Sequence, residues 1–467
     1  MEKNEERVGI VCGLGMNGEG IIKENDGVVF LPFSIPGEKV KYRILKVKKD
    51  IAYGKVLDVL TPADERIRPV CSVFTKCGGC QLQHIRYANQ LKLKENNIAT
   101  CFKKIAGLDI VVKPTVKGDK EYRYRNKLQL PVGEVNGNTV IGFYAENSHR
   151  IIPIEDCCIN AVWTADIISA FKEYLARTRE KGYNEFTNSG DVRELTVKEI
   201  KGSLIIIVVA LKEKLSNEEL LVEIFKKRIK YPFSLFINVN KNKNNVILSD
   251  VFRKIFGSNS YRADMFGIKY KIGVKSFMQV NQSVCAKLYS AVREVACLDE
   301  NTVVFDAYSG AGLLTALLAV NAKKAIGIEI VEEAVTLANE LAEFNNLQDK
   351  ITNYCGKCEE ILPKLIEQYN NGKSKITVVL DPPRKGCDIA VIRSLLKSEI
   401  DKIIYISCKP STLARDVGLL VGSLIEKDGE IVKQANYKAN YKIEIVKPYD
   451  MFAQTKHVET LVVLSKE

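Results

Sequence analysis

The feature that most constrains the fold of this chain is a regular alternation of apolar runs and amphipathic segments beyond residue 270. This alternation predicts a parallel sheet with helices on both faces, whose ligands gather at the carboxyl ends of the strands. A closing pair of strands is predicted near 441–446 and 460–465. Four apolar runs have the length of buried strands: 302–306, 325–329, 375–380 and 403–407.

The length of 467 residues allows roughly three domains with cores of their own. With 46% hydrophobic and 27% charged residues, the composition is that of a soluble globular protein. No apolar run approaches the ~18 residues of a membrane span, so we expect no contact with a membrane. The first residues, MEKNEERVGIVC, contain no hydrophobic signal core, and we therefore expect a cytoplasmic protein. We also expect it to act as a monomer.

Residues 1–61 alternate apolar and polar side chains between Gly-rich and Pro-Gly turns, which predicts a small antiparallel β-barrel. Such a barrel is either a structural or dimerising module or an RNA-binding one, and the residues alone leave both open. A linker is predicted at 62–69, then an amphipathic helix near 87–105, then an α+β middle region. The predicted domains are 1–61, 62–265 and 266–467, and the helix near 87–105 is expected to pack on the third.

The net charge of +12 is concentrated in one segment. Between Lys226 and Lys275 there are 12 Lys or Arg residues and two Asp residues. A solvated surface would explain this charge. The aromatic residues of the same segment, among them Phe233 and Phe236, favour a polyanion whose bases stack on aromatic rings, which is to say a nucleic acid.

The segment TVVFDAYSGAGLLTALLA (302–319) contains a strand, Asp306 at its end, a tight turn with Gly310 and Gly312, and a helix. Glycines in such a turn let the backbone approach a ligand closely at the start of the helix. The next strand ends in Glu329, at the position where an acid binds ribose hydroxyls in folds of this type. The pattern predicts nucleoside binding, and a dehydrogenase would satisfy it equally well.

Three further side chains follow or begin neighbouring strands. Asp381 ends the strand VVL and is fixed by two prolines, at the same edge as the glycine turn. Cys408 lies between the strand KIIYIS and a predicted helix, where the helix dipole, with Lys409 and Arg415, is expected to favour the thiolate. If the last strand runs antiparallel to its neighbour, Glu459 lies beside Cys408, and a nucleophile and a carboxylate share one cleft.

Thirteen cysteines in a chain expected to be cytoplasmic indicate metal binding or catalysis rather than a disulfide framework. Cys71, Cys77 and Cys80 have the spacing C-x5-C-x2-C, and Cys157 or Cys158 could supply a fourth thiolate. Four thiolates suit either zinc or a [4Fe–4S] cluster. The spacing is not the C-x3-C-x2-C of radical enzymes.

Several of these segments together resemble the RNA uracil-5-methyltransferases that use S-adenosylmethionine. The N-terminal segments GLGMNGEG and PGEKV resemble the TRAM domain of the members that modify ribosomal RNA, and CSVFTKCGGC resembles their iron–sulfur motif. The likeness extends over nearly the whole chain. The motifs that carry it are SFMQVNQ, FDAYSGAG, LDPPRKG, SCKPSTLARD and DMFAQTKHVETL.

The resemblance implies a multidomain protein with an OB-like TRAM barrel, a central α+β iron–sulfur domain and a C-terminal α/β Rossmann-like methyltransferase domain. It implies that Cys408 adds to C6 of uracil, which makes C5 nucleophilic, and that Glu459 later removes the C5 proton. It favours a [4Fe–4S] cluster, with Cys157 as the fourth ligand. The residues it assigns to S-adenosylmethionine are Gln279, Tyr308, Glu329 and Asp381.

The sequence departs from the family pattern at three places, and no role is transferred to them. These are Lys409 in place of Asn, Ala453-Gln454 in place of Pro-His, and Leu341 in place of a helix Asn. The barrel favours 23S ribosomal RNA as the substrate, with transfer RNA as the alternative. Other readings are an amino-group methyltransferase, a cytosine C5 enzyme that would use Cys387, and a non-catalytic RNA-binding ribosome-assembly factor.

Overall fold

A computed structural model describes residues 1–135, 137–369 and 374–467. Within this part of the chain, no helix is both long and apolar enough to cross a membrane. The chain forms two compact units, each assembled from separate stretches. The first unit consists of Met1–Gln90, Lys120–Asn259 and Phe452–Lys456, and the second of Leu91–Asp119, Ser260–Met451 and His457–Glu467. The functional division at 1–61, 62–265 and 266–467 stays a prediction.

The first unit begins with a β-rich region, a sheet in the order β1-β5-β6-β4-β3-β2. Inward residues such as Val40, Tyr42 and Ile44 alternate with exposed Lys41 and Arg43, because successive side chains of a strand point to opposite faces. Its strands are β1 (Glu6–Ile10), β2 (Gly13–Leu14), β3 (Gly20–Glu24), β4 (Gly27–Leu31), β5 (Lys39–Lys48) and β6 (Ile51–Thr61).

The pairing in this sheet differs from the sequence prediction at one place. The sequence predicted antiparallel pairing, and the other pairs of the sheet have it, but β4 and β6 run parallel. The long strand β5 lies between β4 and β6 in the chain and runs in the opposite direction to both. Strand β6 therefore points the same way as β4. The sheet is therefore mixed.

The rest of the first unit is an α+β sheet in the order β13-β12-β11-β10-β7-β8-β9. Trp163, Phe171 and Tyr174 of its helical layer are fully buried. Its elements are β7 (Lys127–Val135), β8 (Asn138–Tyr144), β9 (Ile151–Pro153), α2 (Thr164–Thr178), β10 (Val192–Ile200), β11 (Ser203–Ala210), α3 (Glu218–Arg228), β12 (Phe233–Val239) and β13 (Phe252–Phe256).

Two aromatic residues that the sequence assigned to a base-stacking surface lie inside this layer. Phe233 and Phe236 of β12 are only 7% and 4% exposed. This assignment was wrong because β12 is flanked by β11 and β13 and is covered, so its apolar side chains serve the core. The basic residues of the segment remain largely at the surface, as Lys241 and Lys243 show.

The second unit is built on a sheet in the order β18-β17-β16-β19-β20-β24-β23. The first five strands in this order are parallel to one another. The strands predicted from the apolar runs are confirmed to within a residue or two at most ends, while β18 was missed because ITNYC has a mixed composition. The strands of this sheet are β16 (Thr302–Ala307), β17 (Lys324–Glu329), β18 (Ile351–Cys355), β19 (Lys375–Leu380), β20 (Lys402–Ser407), β23 (Tyr441–Tyr449) and β24 (Glu459–Lys466).

Helices cover this sheet, and two short hairpins lie beside it. The hairpins are β14 (Ser260–Met265) with β15 (Ile268–Gly273) and β21 (Leu424–Lys427) with β22 (Glu430–Lys433). Helix α1 (Tyr87–Cys101) continues as a π-helical turn, Phe102–Ala106, whose Phe102 and Ala106 belong to the core of this unit. The other helices are α4 (Gln282–Ala296), α5 (Leu313–Ala319), α6 (Glu332–Phe344), α7 (Cys358–Tyr369), α8 (Ile389–Lys397) and α9 (Pro410–Val421).

Candidate active site

The turn between β16 and α5 is held by Glu329 from the end of β17. The Gly310 N–H donates to Glu329 Oε2 at 3.0 Å, and the Val331 N–H donates to the other oxygen at 2.9 Å. Gly312 has φ +79°, and a Cβ there would lie 2.7 Å from the Cβ of Ala338. Both the positive φ and the lack of space for a Cβ require glycine at this position, as predicted. The carboxylate of Glu329 is fixed at the same edge.

Two carboxyl groups lie at the ends of the neighbouring strands β16 and β19. Asp306 is 1% exposed and accepts a hydrogen bond of 2.6 Å from the Thr315 hydroxyl, and burial raises its pKa to about 7. Burial, followed by the charge of Asp306, also raises the pKa of Asp381 to about 7. Asp306 is buried and Asp381 is half-buried. Two acids whose ionised forms are destabilised make this edge favourable for a positively charged group of a ligand.

Cys408 lies at the carboxyl end of β20, immediately before Lys409, the N-cap residue of α9. The thiol is partly exposed, as attack on a substrate requires. Its pKa is raised, first by burial and then by the charge of Glu459, although Arg384 acts in the opposite direction. The expectation that the surroundings favour the thiolate was therefore wrong for the free protein, since burial and a nearby carboxylate outweigh the cation.

Arg384 was not singled out by the sequence reasoning. Its charge lowers the pKa of the Cys408 thiol, and it also acts on Glu459. The available signal was its position three residues after Asp381, on the same loop at the same sheet edge. Arg415, which the sequence placed near the thiol, instead pairs with Asp416 at 2.6 Å.

Strand β24 runs antiparallel to β20, as the sequence argument required, with Ser407 opposite Thr460. Glu459, the first residue of β24, therefore lies beside Cys408. It is 6% exposed, and burial, followed by the charge of Asp381, raises its pKa well above the usual value. The structure thus brings Cys408, Glu459 and Asp381 together, although they are widely separated in sequence.

The other predicted cofactor residues are near this edge but differ in orientation. Gln279 is half-buried in the segment before α4. The Tyr308 ring is partly buried and packs on the hydrophobic core, and burial, followed by the nearby thiols of Cys387 and Cys358, raises the pKa of its hydroxyl. The assignment of both residues to the cofactor stays a prediction.

The three departures from the family pattern have separate structural roles. The Lys409 N–H donates to Ser407 Oγ at 3.1 Å. Leu341 is buried in α6. Gln454, in the first unit, is buried and accepts a hydrogen bond of 2.9 Å from the Gln90 amide.

The five cysteines of the predicted cluster lie together in the first unit. The neighbouring Cys158 lowers the pKa of Cys71 to about 6, and the charges of Cys71 and Cys157 act on both Cys77 and Cys80. However, no group of three or more His, Cys, Asp or Glu residues is arranged to hold a metal ion in the part of the chain that the structure describes. The donor atoms are those of an iron–sulfur ligand set, but their arrangement is not that of a formed site.

Comparison with known proteins agrees with the geometry of the second unit. The profile of the tRNA (uracil-5-)-methyltransferase family matches residues 86–467. An uncharacterised RNA methyltransferase of Clostridium acetobutylicum is 37% identical, with 100% of this chain and 98% of that protein covered. A second one, from Clostridium tetani, is 36% identical over 100% and 97% of the two chains.

The fold also matches a solved structure. The tRNA (uracil-54, C5)-methyltransferase of Pyrococcus abyssi, in complex with S-adenosyl-L-homocysteine, superposes with a TM-score of 0.75. That match covers 98% of this chain and 100% of the other at 24% identity, and it shows the fold.

The class of protein is therefore that of the RNA methyltransferases. Within this class, the chain belongs to the tRNA (uracil-5-)-methyltransferase family. The prediction of a family of S-adenosylmethionine-dependent RNA uracil-5-methyltransferases is confirmed at this level. The RNA that is modified, the covalent mechanism and the role of each residue stay predictions.

Proposed function

We propose that this protein methylates C5 of uracil in RNA through a covalent adduct with Cys408. The observation that carries the proposal is the convergence of Cys408, Arg384 and Glu459 at one edge of the sheet. Uracil C5 is too weak a nucleophile to accept a methyl group unaided. Addition of a thiolate at C6 makes C5 an enolate carbon, which is the reason for a cysteine at this position.

The residues of the chain act in a fixed order. Cys408 forms the C–S bond at C6, and its negative charge passes to the uracil ring; Arg384 stabilises the thiolate before this step. S-Adenosylmethionine supplies the methyl group that C5 accepts. Glu459 then takes the C5 proton, the C6–S bond breaks, and Cys408 is released as a thiolate. A carboxyl group with a raised pKa is suited to this proton transfer, because an effective base has a pKa near the working pH.

The cofactor edge supports S-adenosylmethionine as the methyl donor. This donor carries a positive sulfonium, and the carboxyl groups of buried Asp306 and half-buried Asp381 lie at the ends of adjacent strands. Glu329 lies at the end of the next strand, where ribose hydroxyls are bound in such folds. The proposed contacts are Gln279, Tyr308, Glu329 and Asp381.

For the substrate, we propose 23S ribosomal RNA, with transfer RNA as the alternative. The N-terminal β-rich region supports an RNA-binding role, because exposed Lys39, Lys41 and Arg43 alternate along β5. A uracil within folded RNA must first be turned out of its stack, at a cost of a few kcal/mol that backbone contacts can offset. The rate of methyl transfer to 23S ribosomal RNA and to transfer RNA transcripts, measured side by side, distinguishes the two. The monomeric state and the cytoplasmic location stay predictions.

The mechanism is tested with RNA that contains 5-fluorouridine, because fluorine at C5 cannot be removed as a proton. With S-adenosylmethionine present, the protein should form an adduct that survives a denaturing gel, and Cys408→Ser should form none. Cys387→Ser, a change of a buried cysteine that contacts Tyr308, is the matched control and should retain the adduct. An adduct in Cys408→Ser, or its loss only in Cys387→Ser, would refute the assignment.

We further propose that Cys71, Cys77, Cys80 and Cys157 hold a [4Fe–4S] cluster with a structural role. The convergence of these thiols, with Cys158 beside them, supports the proposal. Iron and sulfide analysis of anaerobically purified protein should give about four of each per chain. Zinc without sulfide would overturn it, and Cys157→Ser compared with Cys158→Ser would identify the fourth ligand.

A further inference from the structure

One face of helix α9 holds the loop that follows β19. Asp416 is fully buried and accepts two hydrogen bonds on Oδ2, from the Cys387 N–H at 2.8 Å and from the Tyr405 hydroxyl at 2.5 Å. Its other oxygen accepts from Arg415 Nε at 2.7 Å. A buried carboxylate with three donors is a rigid attachment point, because each lost bond would leave a polar group without a partner.

Two neighbouring side chains of α9 bind the same loop. The Arg415 guanidinium donates to the carbonyl oxygens of Lys385 and Cys387, at 3.0 and 3.3 Å. The Thr412 hydroxyl lies 3.3 Å from the Arg384 carbonyl oxygen. Residues three and four apart lie on one helix face, so these side chains and Asp416 together form a clamp on residues 384–387.

The backbone of the loop approaches the clamp closely at Gly386. Gly386 has φ +80°, which favours glycine. A Cβ at Gly386 would lie 2.6 Å from Arg415 Nη2 and would also clash with the Asp416 carboxylate. The close approach of backbone to clamp therefore requires a residue without a side chain at this position.

This loop carries Arg384, whose positive charge acts on the Cys408 thiol and lowers its pKa. The Arg384 side chain is exposed, so its position depends on the backbone from which it extends. Cys408 itself lies two residues before α9 begins. A single helix therefore follows the nucleophile and also holds the backbone of the cation whose charge acts on it.

We propose that Asp416 is a positioning residue, which holds the Arg384 loop on α9 so that the guanidinium charge stays near the Cys408 thiol. The inference rests on the proposed function. It predicts that loosening the clamp changes the acidity of Cys408, and a role in core stability alone would not have this effect. The other groups that act on the thiol are Glu459 from β24 and Asp381 from the start of the loop.

The test is Asp416→Asn, since the amide keeps one acceptor oxygen and cannot satisfy all three donors. The readout is the pH dependence of iodoacetamide alkylation of Cys408, followed by mass spectrometry of its peptide. Displacement of the Arg384 charge, which lowers the pKa of the thiol, should move the midpoint up by about one pH unit. The kcat for methylation at pH 7 should fall about tenfold and should recover in part at higher pH.

Asp401→Asn is the matched control. Asp401 also accepts a backbone hydrogen bond, from the Ile376 N–H at 2.7 Å, but it lies at the opposite edge of the same sheet. Its alkylation profile should equal that of the unchanged protein. Thr412→Val, which alters a more exposed position of the clamp, should move the midpoint in the same direction by a smaller amount, and it serves if Asp416→Asn does not fold.

The outcomes separate this inference from the proposed function. If the unchanged protein forms the 5-fluorouridine adduct and folded Asp416→Asn keeps the same Cys408 midpoint, the clamp proposal is wrong. An equal shift in Asp401→Asn would also overturn it, since the effect would then be one of general stability. If the unchanged protein forms no adduct, the proposed mechanism fails, while an upward shift of the alkylation midpoint would still support the clamp.

Discussion

Replacement of Asp306 by Asn should stabilise the free protein, and the gain should grow with pH. Asp306 is buried, and burial with a contribution from the charge of Glu329 raises its pKa to about 7. The ionised form is therefore unfavourable in the native state. An Asn side chain keeps an oxygen that accepts the hydrogen bond from Thr315, so the substitution removes mainly the charge.

The magnitude follows from proton linkage. The native pKa of about 7 lies about three units above the ordinary value of 3.8, which corresponds to about 4 kcal/mol. Because the native pKa is raised, the stability associated with this group is present below pH 4 and is lost as pH rises through 7. Asp306→Asn should therefore raise the free energy of unfolding by about 2 kcal/mol at pH 5 and about 4 kcal/mol at pH 8, both upper estimates.

Native-state hydrogen exchange of peptides from β16 and β19 measures this free energy in the second unit. Trp163, the only tryptophan, lies in the first unit, and its fluorescence serves as the internal control. An equal gain at pH 5 and pH 8, or a loss at pH 8, would refute the reasoning. S-Adenosylmethionine should reduce the difference between the two proteins, since its sulfonium offsets the Asp306 charge.

Three further predictions concern catalysis, cofactor binding and stability. Glu459→Gln should leave methyl transfer in place and slow release by about 10²–10⁴-fold, so that adducts with ordinary RNA appear on denaturing gels; rapid release of methylated RNA would contradict the assigned role. Gly312→Ala should weaken S-adenosylmethionine binding about tenfold in calorimetry through a clash with α6, whereas Gly202→Ala, which has a similar φ in open space, should not change it. Lys94→Met should lower the free energy of unfolding, measured in urea, by about 3–5 kcal/mol, because it leaves Asp450 as a buried charge without its lysine. An added Asp450→Leu change should restore most of this free energy.

Much of the candidate site was predictable because its signals are local. The apolar runs and the glycine turn predicted β16, β17, β19 and β20, and the residues directly after a strand are placed by that strand. Asp381, Cys408 and Glu459 could thus be assigned to one edge once the sheet was inferred. Strand β18 was missed because its sequence, ITNYC, has a mixed composition. The burial of Phe236 was missed because it depends on neighbouring strands and not on the local pattern.

The sequence by itself determined the alternating strands and helices, the tight turn that needs glycine, and the positions of a thiol and carboxylates at strand ends. Only the tertiary structure decided which groups surround the thiol. The Arg384 charge acts on Cys408 because β19 and β20 are neighbours, and Asp416 holds the intervening loop through hydrogen bonds from α9. Contacts of this kind join residues that are distant in the chain, and they depend on strand order and packing, which no local pattern encodes.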